Sequence, residues 1–101
     1  MMEQVERIKQ MELRLDRASS VVMELSAALE NYNEVQDDIS QLAAYYSSDE
    51  WKQDFAADEA GELPPSLRRG VLSEDAIWNL LTDNKELTVR LLETVTAILR
   101  K

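Results

Sequence analysis

A chain of 101 residues with 31% charged and 45% apolar side chains has the size and composition of one folded domain with a single modest core. It contains no cysteine and no histidine, which removes disulfides, thiolate nucleophiles, imidazole bases and the usual zinc ligands together. The formal net charge of -9 disfavours direct contact with nucleic acid or anionic membrane and suits a basic protein partner.

The opening, MMEQVERIKQ, is too polar for a signal peptide, and no apolar run approaches the roughly 20 residues that span a bilayer. The expected location is the cytoplasm. From there Ile8, Met11, Leu15, Ala18, Val22, Leu25, Leu29, Tyr32, Gln36, Ile39, Ala43 and Tyr46 alternate spacings of three and four, the pattern of one helix face. Val21, Ala28, Val35 and Leu42 widen that face beyond a strict two-stranded seam, which suits a bundle. Nothing between Met2 and Ser47 must break a helix, so one long helix over 1–48 is expected, with Asn31 and Asn33 as weak formers where a kink could enter.

At 1.5 Å per residue that helix would be about 65 Å long, more than a compact domain of this size can cover. Its apolar face must meet the last helix, fold on itself near Asn31, or pair with a second copy. A homodimer or weaker self-association is therefore expected.

Ser47, Ser48 and Asp49 are three successive N-cap residues, followed by acids that favour a first helical turn. A short acidic helix should run from about Asp49 to Ala60, with Trp51 and Phe55 on one face and Asp54, Asp58 and Glu59 as a ridge. Gly61 suits its C-terminus, and Pro64 and Pro65 prevent continuation. The hinge segment occupies the rest of 49–72, with one helical turn expected from Ser66 to Arg69, closed by Gly70. The last helix, 73–101, begins with Ser73 as N-cap, Glu74 and Asp75 at the positive end of the dipole, and Leu72 with Ile77 at the positions of a hydrophobic staple. Ile77, Leu80, Leu81, Leu87, Leu91, Val95 and Ile98 continue its apolar face. The fold expected is all-α, a single domain in which the C-terminal helix packs back as an antiparallel helical bundle.

In and around the hinge, Tyr45-Tyr46, Trp51, Asp54, the run Asp58-Glu59-Ala60-Gly61, Leu63-Pro64, Leu67 and the run from Arg69 to Asp75, RGVLSED, resemble the signature of a family of small bacterial proteins catalogued as a domain of unknown function. The resemblance spans the whole chain in length and layout, and it is most specific around RGVLSED. It implies a bacterial, cytoplasmic, helical protein with no assigned activity, so it carries over no catalytic residue.

Three chemistries compete with a purely structural hinge. Asp54, Asp58, Glu59 and Glu62 could gather a divalent metal for nucleotide hydrolysis, although they do not reproduce the Glu-Glu-x-x-Glu element of helical pyrophosphohydrolases; a solvated acidic ridge is the simpler reading. Arg68 and Arg69 precede a helix N-terminus that could hold an anion, but Glu74 and Asp75 already occupy that field, and an ion pair from one arginine to Asp58 or Glu59 explains them better. Between Arg17 and Lys52 there is no base, while Glu24, Glu30, Glu34, Asp37, Asp38, Asp49 and Glu50 fall in that window, a display open to nucleic-acid mimicry. The aromatic residues Tyr45, Tyr46, Trp51, Phe55 and Trp78 are expected first as core, and second as anchors of a partner groove with a charged rim.

The expected function is accordingly non-enzymatic: protein–protein interaction or a structural role, with an acidic mimic of nucleic acid and a carboxylate-metal hydrolase as alternatives. No catalytic, cofactor-binding or metal-ligating residue is assigned. The candidate interaction or hinge residues are Trp51, Asp54, Phe55, Asp58, Glu59, Arg68, Arg69 and Ser73.

Overall fold

A computed structural model describes all 101 residues. The chain is all-α: α1 Met2–Glu34, α2 Gln36–Tyr46, α3 Asp49–Glu59, a 3-10 turn at Gly70–Leu72, and α4 Ala76–Leu99. It divides into two compact units, Met1–Asp37 and Asp38–Lys101. No helix is long and apolar enough to cross a membrane.

The first unit is essentially α1. Strong helix formers and the absence of glycine and proline carry it for 33 residues, about 50 Å. Pairs one turn apart support it, as where the Gln10 amide donates to Glu6 at 3.3 Å. Of its residues only Tyr32 is even half-buried. The long first helix expected over 1–48 is interrupted once, close to the kink allowed for at Asn31 and Asn33. Val35 stands between α1 and α2, its N–H donating to the Asn31 carbonyl at 3.1 Å. The interruption follows Asn31 and Asn33, a residue type of weak helix propensity, and beside it the Gln36 side-chain amide donates to Tyr32 O at 3.0 Å.

In the second unit each break has a local cause. Ser48 caps α3: its hydroxyl accepts from the Trp51 N–H at 3.2 Å and donates to the Tyr45 carbonyl at 2.6 Å, so one side chain ends α2 and starts α3. At the other end Gly61 takes φ 71°, the left-handed value that a side chain disfavours. Its N–H reaches Asp58 O and that of Glu62 reaches Ala57 O, each at 3.0 Å, the paired closure of a Schellman motif.

The turn expected at Ser66 to Arg69 lies elsewhere. Leu67 N–H donates to Pro64 O at 3.1 Å, making a turn over the prolines, and helical geometry returns only at Gly70–Leu72. Proline has no N–H and its ring confines the residue before it, so the chain stays irregular until it is clear of the pair. Gly70 opens the 3-10 turn instead of closing one.

That turn packs on both α3 and α4. It carries Leu72, 5% exposed, and Ile77 of α4 is 3% exposed; these are the only buried residues of the chain. Burial is thus concentrated at one point, where the Ser73 hydroxyl accepts from Ala76 N–H at 3.2 Å and donates to Gly70 O at 2.9 Å. Ser73 is the N-cap in the chemical sense, with Leu72 before it and Ile77 four residues after it forming the staple. Regular helix begins at Ala76, a boundary difference of the usual size.

Candidate functional site

The hinge side chains are gathered by the caps just described. Ser48 joins α2 to α3 through a break of two residues, which brings the two tyrosines at the end of α2 beside the first turns of α3. Tyr46 meets Trp51 edge-on at a ring separation of 5.1 Å, and Trp51 stacks on Phe55, one helical turn later, at 5.2 Å. Such pairs add roughly 0.5–1.5 kcal/mol beyond the area they bury. The Trp51 indole N–H donates to the Val71 carbonyl at 2.9 Å, tying α3 to the 3-10 turn. Tyr46 Oη makes a longer contact of 3.5 Å to the Glu74 carbonyl at the entrance of α4.

Tyr45 donates its phenol proton to Asp54 Oδ2 at 2.6 Å, the short distance of a charge-assisted bond. That bond holds the proton on the phenol, and with partial burial and the negative fields of Asp54 and Glu50 it raises the Tyr45 pKa to about 12. On the next turns of α3, Asp58 accepts from Arg69 Nη1 at 2.8 Å. This ion pair spans the irregular segment and closes it against α3.

Of the candidate residues, Phe55, Asp58, Glu59, Arg69 and Ser73 line one shallow groove of about 420 Å³, with Leu72 and Glu74 completing it. Trp51 and Asp54 are half-buried beside it, and each makes one of the bonds above. Arg68 stands apart. It lines a second groove, of about 370 Å³, with Leu42, Val71, Ile77 and Leu80. Trp78, expected first as core, is 55% exposed; it lies about 100° around α4 from the buried Ile77.

The acids do not converge. No group of three Asp, Glu, His or Cys side chains is placed to hold a metal ion. Asp54 faces Tyr45 and Asp58 faces Arg69, so two of the three ridge carboxylates are committed to different partners. Tyr45 and Tyr46, expected as core or groove aromatics but not among the eight candidate hinge residues, both bond within the hinge; standing directly before a Ser-Ser-Asp cap, they lie near the first turns of the following helix.

These features define a small all-α protein whose central segment is held by two capped helix ends, an aromatic stack and one ion pair. The chain belongs to the family described as Domain of unknown function (DUF4298), whose model matches residues 8–94. The match includes every hinge residue discussed above. No curated protein and no solved structure matches the chain.

Proposed function

We propose that this protein is a non-enzymatic interaction module of the bacterial cytoplasm, whose apolar helix faces are completed by a protein partner. The observation that carries this reading is the exposure of large apolar side chains in helical register. Ile8, Met11, Leu15, Val22, Leu25 and Leu29 of α1 are exposed, as are Leu87, Val95 and Ile98 of α4. Single exposed hydrophobes are ordinary, whereas an unbroken stripe over several turns is a surface that gains by association. The hinge serves the fold in this reading: Tyr45 is paired with Asp54 and Arg69 with Asp58, and its bonds fix the direction in which α4 leaves.

Affinity purification of the tagged chain from its native host, with mass spectrometry of what it retains, tests the reading against a Val22→Glu, Leu29→Glu control. Retained proteins lost with the control support it. A chain that retains nothing and does not self-associate overturns it.

A second reading is favoured by one observation. All seven acids of the base-free window, from Glu24 to Glu50, occupy exposed positions, the extended display that mimicry of nucleic acid requires. A complex with a DNA-binding protein that weakens steeply with added salt would favour this reading over the first.

A further inference from the structure

We propose that the partner of α1 is a second copy of the same chain, and that the two α1 helices pair antiparallel about a point at Ser20. This rests on the interaction reading above and gives it a specific occupant.

Written about Ser20, the members of the stripe fall in matched positions: Ala18 with Val22, Leu15 with Leu25, Met11 with Leu29, and Ile8 with Tyr32. Ile8, Leu15, Val22 and Leu29 are one position of the seven-residue repeat, and Met11, Ala18, Leu25 and Tyr32 the other. Reversing one helix over another brings the first set against the second, so all the layers close in a single register. No other reversed register closes as many.

The flanking residues agree. Val21 and Ala28 widen the stripe on one side, and in a reversed pair centred at Ser20 the side chains of Val21 approach each other across the two-fold axis. The apolar members of the stripe within α1 are 48% to 66% exposed for Ile8, Met11, Leu15, Val22, Leu25 and Leu29. Burying them in both copies removes on the order of 1,000 Å² from water, at the low end of specific interfaces.

Charge chooses the direction. Before Ser20 the helix carries Glu3, Glu6, Glu12 and Asp16 against Arg7, Lys9, Arg14 and Arg17, which balance; after it come Glu24, Glu30 and Glu34 with no base. Glu24, Glu30 and Glu34 fall on the outer positions of the repeat, so they act through the field of the half-helix and not by contact. A parallel pair runs that unbalanced half along itself, whereas an antiparallel pair runs it along the half in which acids and bases balance.

Sedimentation equilibrium of the full chain should show a particle of twice 11.6 kDa that dissociates on dilution. Val22→Glu places a charge in the central layer and should raise the dissociation constant by about a hundredfold or more. Its helical signal in circular dichroism should not fall, because Val22 is exposed in the single chain and glutamate forms helix better than valine.

Direction is read by oxidation. The chain has no cysteine of its own, so Met11→Cys and Leu29→Cys can be made separately. Mixed together they should cross-link to each other, while neither cross-links to itself, the like positions being about 27 Å apart in a reversed pair. Self-cross-linking of Met11→Cys overturns the antiparallel assignment. A monomer at every concentration that still captures another protein through Val22 overturns the second-copy assignment and leaves the interaction reading standing. A monomer that captures nothing overturns both.

Discussion

Trp51 and Val71 lie 20 residues apart in the chain, and the indole N–H of the first donates to the carbonyl of the second at 2.9 Å. The bond holds the 3-10 turn against α3, and so holds Leu72 where it can pack on Ile77. Trp51→Phe keeps a ring over Phe55 and removes only the donor. It should cost about 1 kcal/mol of stability, the usual net worth of such a bond. Trp51→Ala, which also removes the stack, should cost roughly 2–3 kcal/mol. Thermal unfolding of the two variants separates the bond from the ring. Equal losses would mean that the hydrogen bond contributes nothing.

The Arg69 to Asp58 pair is well formed but wet, its side chains 38% and 26% exposed. Solvent screening limits such a pair to about 0.5–1 kcal/mol. A double-mutant cycle of Arg69→Ala and Asp58→Ala, run by denaturant unfolding, should return a coupling of that size that shrinks in high salt. Arg68→Ala should change stability by less than about 0.5 kcal/mol. If Arg68→Ala matched Arg69→Ala, net charge and not the pair would be the cause.

The bond from Tyr45 to Asp54 predicts a dependence on alkaline pH. The folded protein holds the Tyr45 pKa at about 12, above the ordinary 10.0. Its contribution is therefore complete below pH 10. It declines as the unfolded chain begins to ionise and is gone once the folded phenol ionises too. The melting temperature should fall between pH 10 and 12 more steeply than in Tyr45→Phe, and the tyrosinate absorbance of the folded protein should include a late-ionising phenol that Tyr45→Phe removes. Parallel pH profiles for the two proteins would remove the role given to this bond.

Leu72 and Ile77 should be the most sensitive apolar positions. Either residue replaced by alanine should lose about 2–4 kcal/mol, and Ser73→Ala about 1 kcal/mol through the lost cap. Leu92, 69% exposed, should tolerate alanine within about 0.5 kcal/mol. Hydrogen exchange offers an independent check: the amides at the start of α4 should be protected beyond those of α1. Faster exchange there than in α1 would place the stable centre elsewhere.

Much of this was legible beforehand where partners are near in sequence. Ser48, Gly61 and Ser73 were readable as helix ends because each acts within about five residues, on groups whose positions the helix already dictates. The staple of Leu72 and Ile77 was readable for the same reason. The break at Val35 was legible only as a weak point near Asn31 and Asn33, since asparagine weakens a helix without dictating where it ends. The exposure of Trp78 was not legible, since it depends on which side of α4 meets the 3-10 turn.

By itself, then, the sequence determined the helices, their caps, the placement of the two apolar stripes and the lopsided charge. Only the tertiary structure decided that Arg69 takes Asp58 and not Glu59, that Tyr45 donates to Asp54, and that Trp51 finds Val71. Those choices depend on the path of the chain from Leu63 to Arg69 and on the angle between α2 and α3. Neither is a local property: bonds across such distances form only after burial of Leu72 and Ile77 has offset the entropy of closing the loop.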